Sequence, residues 1–279
     1  MSDFLIQNLR KKYKIAYLSR GYKRKSSGFL FADEQSSVDD LGDEAFMLAQ
    51  KWKGEILIAV DSDRRRGIET IKQKFPKTEL FILDDAMQHR WVRPSVCIQL
   101  SPFRYPFFKN FIFPSGTLRD LCSEVSRADL LIFTKADQAN QANLDKIKSK
   151  FKNHVKSELP IFVSSIQYGL PLNLKRETIT EGSEVIAVAG LASNISFFEK
   201  VKSRFSVLKC VSKPDHYRYL PDFFEQENLS ASTILCTEKD FYKIIAIAPQ
   251  PELVFYLPIS IQIFPEQKFL ATLDEAIYK

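Results

Sequence analysis

No glycine-rich phosphate loop occurs in these 279 residues. None of the nine glycines is followed by Lys, and no two have the spacing of a GxxxxG turn. A complete Walker-A cradle is therefore not encoded in this sequence. Long apolar runs are also missing: nothing approaches the roughly 18 consecutive apolar residues of a membrane span. Met1-Ser2-Asp3 lacks the basic-then-apolar pattern of a signal peptide. Only three histidines are present, too few to favour a His-based metal centre, and one of them, His154, lies in a polar helix-end setting. The four cysteines (Cys97, Cys122, Cys210, Cys236) contain no CxxC pair, which argues against a zinc ribbon or redox motif. Buried thiols in a reducing cytosol are the expectation.

One more absence is local. Residues 10–25 carry eight Lys or Arg and no acid, within a chain of net charge +6. Such a run is either a solvated face or a surface for an anionic partner, such as nucleotide phosphates, a phosphorylated lipid or an acidic membrane. Nucleic acid is disfavoured, because no helix-turn-helix, zinc or RNP signature accompanies the charge.

What is present is ordinary globular material, 45% apolar and 27% charged. Short apolar runs at 14–18, 28–32, 55–60, 79–83, 96–100, 130–134 and 160–164 read as strands. Helical periodicity falls between them at 38–52, 65–75 and 139–151. The strands lack clean polar alternation, the mark of burial on both faces, so an α/β fold with a mostly parallel sheet covered by helices is expected. The stretch 167–184, with Gly169, Pro171 and Gly182, reads as a hairpin-like linker. A second α/β unit follows, with strands at 184–189 and 233–236, a helix at 193–204 and a final helix from Pro265. The expected division is a core domain at 1–168, a linker at 169–183 and a smaller domain at 184–279.

Four segments carry chemistry. The strand before Asp84-Asp85 runs into two carboxylates, placed where open α/β sheets bind ligands and where a Walker-B acid holds Mg²⁺. With His89 close by, the same acids also admit a transition-metal hydrolase reading. Gly42-Asp43-Glu44 stands near a helix start, where the acids are either dipole partners or, for Asp43, a general base. His216, in Pro214-Asp215-His216, is a loop residue able to meet a phosphate site across a cleft. Thr237-Glu238-Lys239-Asp240 is a helix cap or a cleft contact. Arg20, Arg64 and Arg119, the last beside the Gly116 turn, form a possible anion-binding set.

In order and spacing these motifs resemble the tetraacyldisaccharide 4′-kinase family, the lipid A kinases of Gram-negative bacteria. The matching segments are Leu18-Ser19-Arg20-Gly21-Tyr22, Gly42-Asp43-Glu44, Asp63-Arg64, Leu83-Asp84-Asp85 with Gln88-His89, Pro114 to Arg119, Phe133-Thr134-Lys135, Ala189 to Ala192, Pro214-Asp215-His216 and Thr237 to Asp240. The resemblance implies a P-loop NTPase-like α/β fold and transfer of the γ-phosphate of ATP to the 4′-hydroxyl of a tetraacylated glucosamine disaccharide 1-phosphate. It implies Mg²⁺ as cofactor and work at the cytoplasmic face of the inner membrane, peripherally for this chain. By the same resemblance Asp43 is the base, His216 its partner across the cleft, and Arg119 a catalytic phosphate or sugar contact. Glu44, Asp84 and Asp85 arrange Mg²⁺, and Arg20, Arg64 and His89 contact phosphate or sugar. Ser101 departs from the family, which often has an acid there. The family's phosphate loop ends just before the helix that begins here at Met1. The implied expectation is a product that starts upstream, with this polypeptide alone inactive. The alternative is a catalytically inactive remnant that binds lipid or a partner through residues 10–25.

Overall fold

A computed structural model describes residues 1–151, 159–229 and 232–278; His154 lies outside them. In the first stretch α1 (Ser2–Leu9) precedes β1 (Ile15–Ser19) and the short β2 (Leu30–Phe31). Next come α2 (Val38–Leu41), α3 (Asp43–Lys51), β3 (Leu57–Val60), α4 (Arg64–Lys74) and β4 (Leu80–Leu83). These strands form a sheet in the order β2-β3-β1-β4. Within it β3, β1 and β4 are parallel, and β2 adds an antiparallel edge. All five residues of β1 are buried, as its unbroken apolar pattern requires. Each large side chain so buried contributes about 1.5–3 kcal/mol.

Local chemistry sets the helix bounds. Asp63 caps α4, its carboxylate accepting from the N–H groups of Arg65 and Arg66. Gly67 lets α4 lie close on β1, since a Cβ there would sit 2.7 Å from Leu18 Cδ2. The single helix expected at 38–52 is two helices. Gly42 breaks it at φ +80°, and a Cβ at that position would meet the Tyr22 carbonyl at 2.8 Å.

β5 (Ile98–Pro102), β6 (Leu130–Thr134), α5 (Gln141–Phe151) and β7 (Ile161–Tyr168) follow. Then come β8 (Glu184–Gly190), α6 (Ile195–Lys202), β9 (Ser206–Lys213), α7 (Phe223–Gln226), β10 (Ile234–Thr237), α8 (Glu238–Ile245) and β11 (Val254–Leu257). The chain closes with β12 (Ile259–Phe264) and α9 (Glu266–Ile277). β8 to β11 make a parallel sheet in the order β11-β10-β8-β9. A third sheet has the order β12-β7-β6-β5.

The division into compact units differs from the expected 1–168 and 184–279. One unit joins Met1–Ala86 to Tyr168–Ile259, and the other joins Met87–Gln167 to Ser260–Lys279. The reason is β12, which leaves the C-terminal sheet and lies beside β7, taking α9 with it. In that second unit Phe269 of α9 packs on Phe162 of β7, with ring centroids 5.2 Å apart. Residues 169–183 are no isolated hairpin either: Leu172 bridges antiparallel to Tyr256 of β11. The cysteines are free, but only Cys236 is buried, and Cys122 is exposed. Ser101, at the family's acid position, is buried and accepts a hydrogen bond from Phe107 N at 2.9 Å.

Candidate active site

Parallel register brings the carboxyl ends of three strands of the first unit together. Leu18 of β1 lies opposite Leu83 of β4, and Ser19 opposite Val60 of β3. The residues that follow, Arg20, Asp61 and Asp84, therefore emerge at one sheet edge, the edge where open α/β folds bind ligands.

Asp84 is fixed by its neighbours. Tyr17 Oη donates to Asp84 Oδ2 at 2.8 Å, and Asp85 N donates to Oδ1 at 3.1 Å. Burial, reinforced by the Asp84 charge, pushes the Tyr17 phenol well above its ordinary range, so it remains a donor. Asp85 takes a left-handed backbone at φ 46°, uncommon outside glycine and a mark of a constrained turn. Arg64 is 1% exposed, and its guanidinium donates to the carbonyls of Asp61 and Asp84. Its guanidinium thus pins the ends of β3 and β4 to each other. Asp61 is fully buried and takes a forked pair of bonds from Arg66, at 2.6 and 2.9 Å. Arg20 is exposed just beyond β1.

Asp43 begins α3, and Gly42 before it permits the turn that aims it. The side chain is buried, and its Oδ2 accepts from His216 Nδ1 at 2.9 Å, across 173 residues of chain. His216 also has a left-handed backbone, at φ 62°. Tyr22 and the His216 ring pack edge to face with centroids 5.3 Å apart. Lys239 Nζ lies 3.4 Å from the same Asp43 oxygen and 2.7 Å from Asp215 Oδ1. Burial opposes the Lys239 charge, but the Asp215 hydrogen bond and the charges of Asp43 and Glu44 hold its ammonium above the usual range. Lys243 Nζ completes the group at 3.4 Å from Asp43 Oδ2. Thr237 caps α8, accepting from Asp240 N, so the cap reading of that motif holds alongside a place for its lysine in the site.

Glu44, next on α3, is exposed at its surface, yet the protein around its carboxyl desolvates it. That desolvation first, and then the Asp84 charge, hold it above the usual carboxylate range, with Lys239 opposing. The sign follows. A raised carboxyl favours the folded state while protonated, and that contribution is lost as pH rises through its folded value. Glu44→Gln is expected to raise the melting temperature at pH 7–8, with the gain vanishing below the unfolded glutamate value of about 4.3. A melting series from pH 4 to 8 checks this, and a gain that persists at acid pH would contradict it.

Among the described residues no group of three or more His, Cys, Asp or Glu is arranged to hold a metal. Glu44, whose carboxyl feels the Asp84 charge, and Asp84 suit Mg²⁺, which takes one or two carboxylates and completes its shell with water and phosphate. Two like charges in a partly desolvated place are what a divalent cation would relieve.

Two expected site residues belong to the second unit. Arg119 lines a cavity of about 190 Å³ there with Gln88, Gln99 and Glu124. His89 lies in the loop between β4 and β5. Tyr17, Asp61 and Lys243 were not singled out by the sequence. Lys243 had one local signal, its four-residue spacing from Lys239 on a helix, which puts both ammoniums on one face.

A family model described as tetraacyldisaccharide-1-P 4′-kinase matches residues 1–278. The chain is 34% identical over 275 residues to the tetraacyldisaccharide 4′-kinase of Flavobacterium psychrophilum, covering 96% of this chain and 79% of the relative. With the enzyme of the same name from Cytophaga hutchinsonii the identity is 31%, over 96% and 79% of the two chains. Among solved structures, an "apo" form of LpxK from Aquifex aeolicus in complex with ATP superposes with a TM-score of 0.76 at 27% identity. That match covers 99% of this chain and 83% of the other.

Proposed function

Because the chain belongs to the tetraacyldisaccharide-1-P 4′-kinase family, we propose that it transfers the γ-phosphate of ATP to the 4′-hydroxyl of a tetraacylated glucosamine disaccharide 1-phosphate, a step of lipid A biosynthesis. One observation carries the assignment of roles: the 2.9 Å contact between Asp43 and His216. A carboxylate at a helix start held by an imidazole is a general base with a partner able to share the proton.

In this reading the acceptor hydroxyl gives its proton to Asp43, and His216, braced by Asp215, stabilises the carboxyl that results. Phosphoryl transfer depends almost wholly on positioning and electrostatics. Glu44 and Asp84 would hold Mg²⁺, with Asp85 beside them meeting its waters, and the ion would neutralise charge on the phosphate oxygens. Tyr17 and Arg64 serve by fixing Asp84, the first through its carboxylate and the second through its carbonyl. Arg20 supplies a contact to phosphate or sugar.

The test is direct. Protein purified from its own cells is incubated with γ-labelled ATP and the tetraacyl disaccharide 1-phosphate, and the product is mapped by NMR. Label at the 4′ position is expected; no transfer, or label elsewhere, would sink the reading.

The substrate is a lipid, so the protein must meet a membrane surface, and the cytoplasmic face of the inner membrane is the proposed place. No helix among the described residues is long and apolar enough to cross a bilayer. The basic run supplies the contact. Arg10 is paired with Glu55 at 2.6 Å and Lys25 with Asp39 at 2.7 Å, and Lys11, Lys12 and Lys14 are exposed, with Lys12 also lying over the Tyr13 ring. Each lysine near an anionic surface is worth about 1 kcal/mol. Replacing these three with Ser is expected to weaken partition onto phosphatidylglycerol vesicles by about 100-fold at low salt. Unchanged sedimentation with vesicles would remove this face from the account.

A further inference from the structure

Asp43 is held by more than its histidine. Among the described residues, three side chains meet its carboxylate on Oδ2: His216 Nδ1 at 2.9 Å and the ammoniums of Lys239 and Lys243 at 3.4 Å each. Each lysine is itself anchored away from Asp43. Lys239 binds Asp215 Oδ1 at 2.7 Å, and Lys243 lies 3.0 Å from Asp240 Oδ1 and 3.4 Å from the Tyr217 carbonyl. Asp215 also closes on the imidazole, its Oδ2 lying 3.5 Å from His216 Nε2. The result is a closed ring, Asp43 to His216 to Asp215 to Lys239 and back, with Lys243 bracing it from the next turn of α8.

Concentration of the contacts on one oxygen has a geometric consequence. A carboxylate gripped at Oδ2 from three directions loses the freedom to turn about its Cβ–Cγ bond. The reacting partner then meets a single oxygen in a fixed place. Misplacing a catalytic group by about 1 Å can cost roughly 100-fold in rate. Neither lysine needs to touch substrate for this effect, and both sit on a helix packed against α3, where Phe46 and Tyr242 meet edge to face at 6.4 Å.

We propose that Lys239 and Lys243 are positioning residues that clamp Oδ2 of Asp43 and so present Oδ1 to the acceptor hydroxyl. This rests on the proposed function, in which Asp43 is the base. The lysines thereby give α8 a role in the reaction that the neighbouring cap, Thr237 on Asp240, would satisfy for structure alone.

The experiment measures kcat and both KM values for Lys239→Met and Lys243→Met, each also in an Asp43→Asn background. Each single variant is expected to lose 10- to 100-fold in kcat, with both KM values within about threefold of wild type. In the Asp43→Asn background neither substitution should lower kcat by more than twofold, because the clamp acts only through Asp43. A kcat near wild type in a folded Lys239→Met protein overturns the proposal, as does a full further loss on Asp43→Asn. Lys243→Met strips Asp240 of its cation and can fail to fold; Lys239→Met, whose partner Asp215 is partly solvated, then carries the test. A crystal structure of Lys239→Met gives a readout free of activity. There the Asp43 carboxylate is expected to rotate or take two orientations, and an unchanged single orientation overturns the clamp. A wild-type protein that transfers no phosphate defeats the proposed function instead, and the crystal result still judges the clamp.

Discussion

Asp43→Asn is expected to lower kcat for phosphate transfer by roughly 100- to 10,000-fold, the range that a well-placed general base supplies. The substitution keeps the size of the side chain and retains an oxygen able to accept from His216 Nδ1. What it removes is the capacity to take the hydroxyl proton. Affinity for ATP should change by less than about threefold, since Asp43 faces His216, Lys239 and Lys243 rather than a phosphate cradle. His216→Gln is expected to cost less, about 10-fold, because an imidazole that shares the proton assists a base without replacing it. The double variant should be no slower than Asp43→Asn, since residues that act as one unit give non-additive losses. Initial rates against both substrates decide the matter. An Asp43→Asn enzyme within threefold of wild type would remove the carboxylate from the chemistry and leave the His216 contact as architecture.

How far such a site can be read from residues alone is clear from its individual parts. The strand before Asp84-Asp85 was legible as an apolar run, although a plain turn was the other reading of its two acids, and β6 falls on the span its apolar run marks. Pairing of Asp43 with His216 was not visible in composition or period. It came from resemblance, and the structure then brings the two side chains together across 173 residues. Residue type misleads at Arg64. An arginine just after a strand suggests an anion contact, yet Asp63 caps the helix at that point and Gly67 draws it onto β1, which carries Arg64 inward to the backbone carbonyls. Lys243 stayed hidden because its meaning depends on α8 lying beside α3, a packing fact to which no local pattern refers. The same holds for β12, whose apolar sequence suits either of two sheets. Only tertiary pairing with β7 selects one.

The largest stability effect is expected at Asp240, which lies under the same helix. Its carboxylate is fully buried, with Oδ2 accepting from Gly190 N at 2.7 Å and from Thr237 Oγ1 at 2.7 Å, while Oδ1 faces Lys243 at 3.0 Å. One side chain thus ties the end of β8 to the start of α8 and neutralises a lysine that is itself largely buried. Removing one partner of a buried ion pair costs about 3–5 kcal/mol, chiefly because the other charge is left without compensation. At about 2–4 °C per kcal/mol for a protein of this size, Asp240→Ala should lower the melting temperature by roughly 6–20 °C. If the uncompensated ammonium is the cause, Asp240→Ala combined with Lys243→Met should melt above Asp240→Ala alone, despite carrying one more substitution. Additive losses would instead assign the cost to the Gly190 and Thr237 hydrogen bonds. Either way the comparison reads one duty of Lys243, its pairing with Asp240, in melting, whereas its grip on Asp43 is read in kcat.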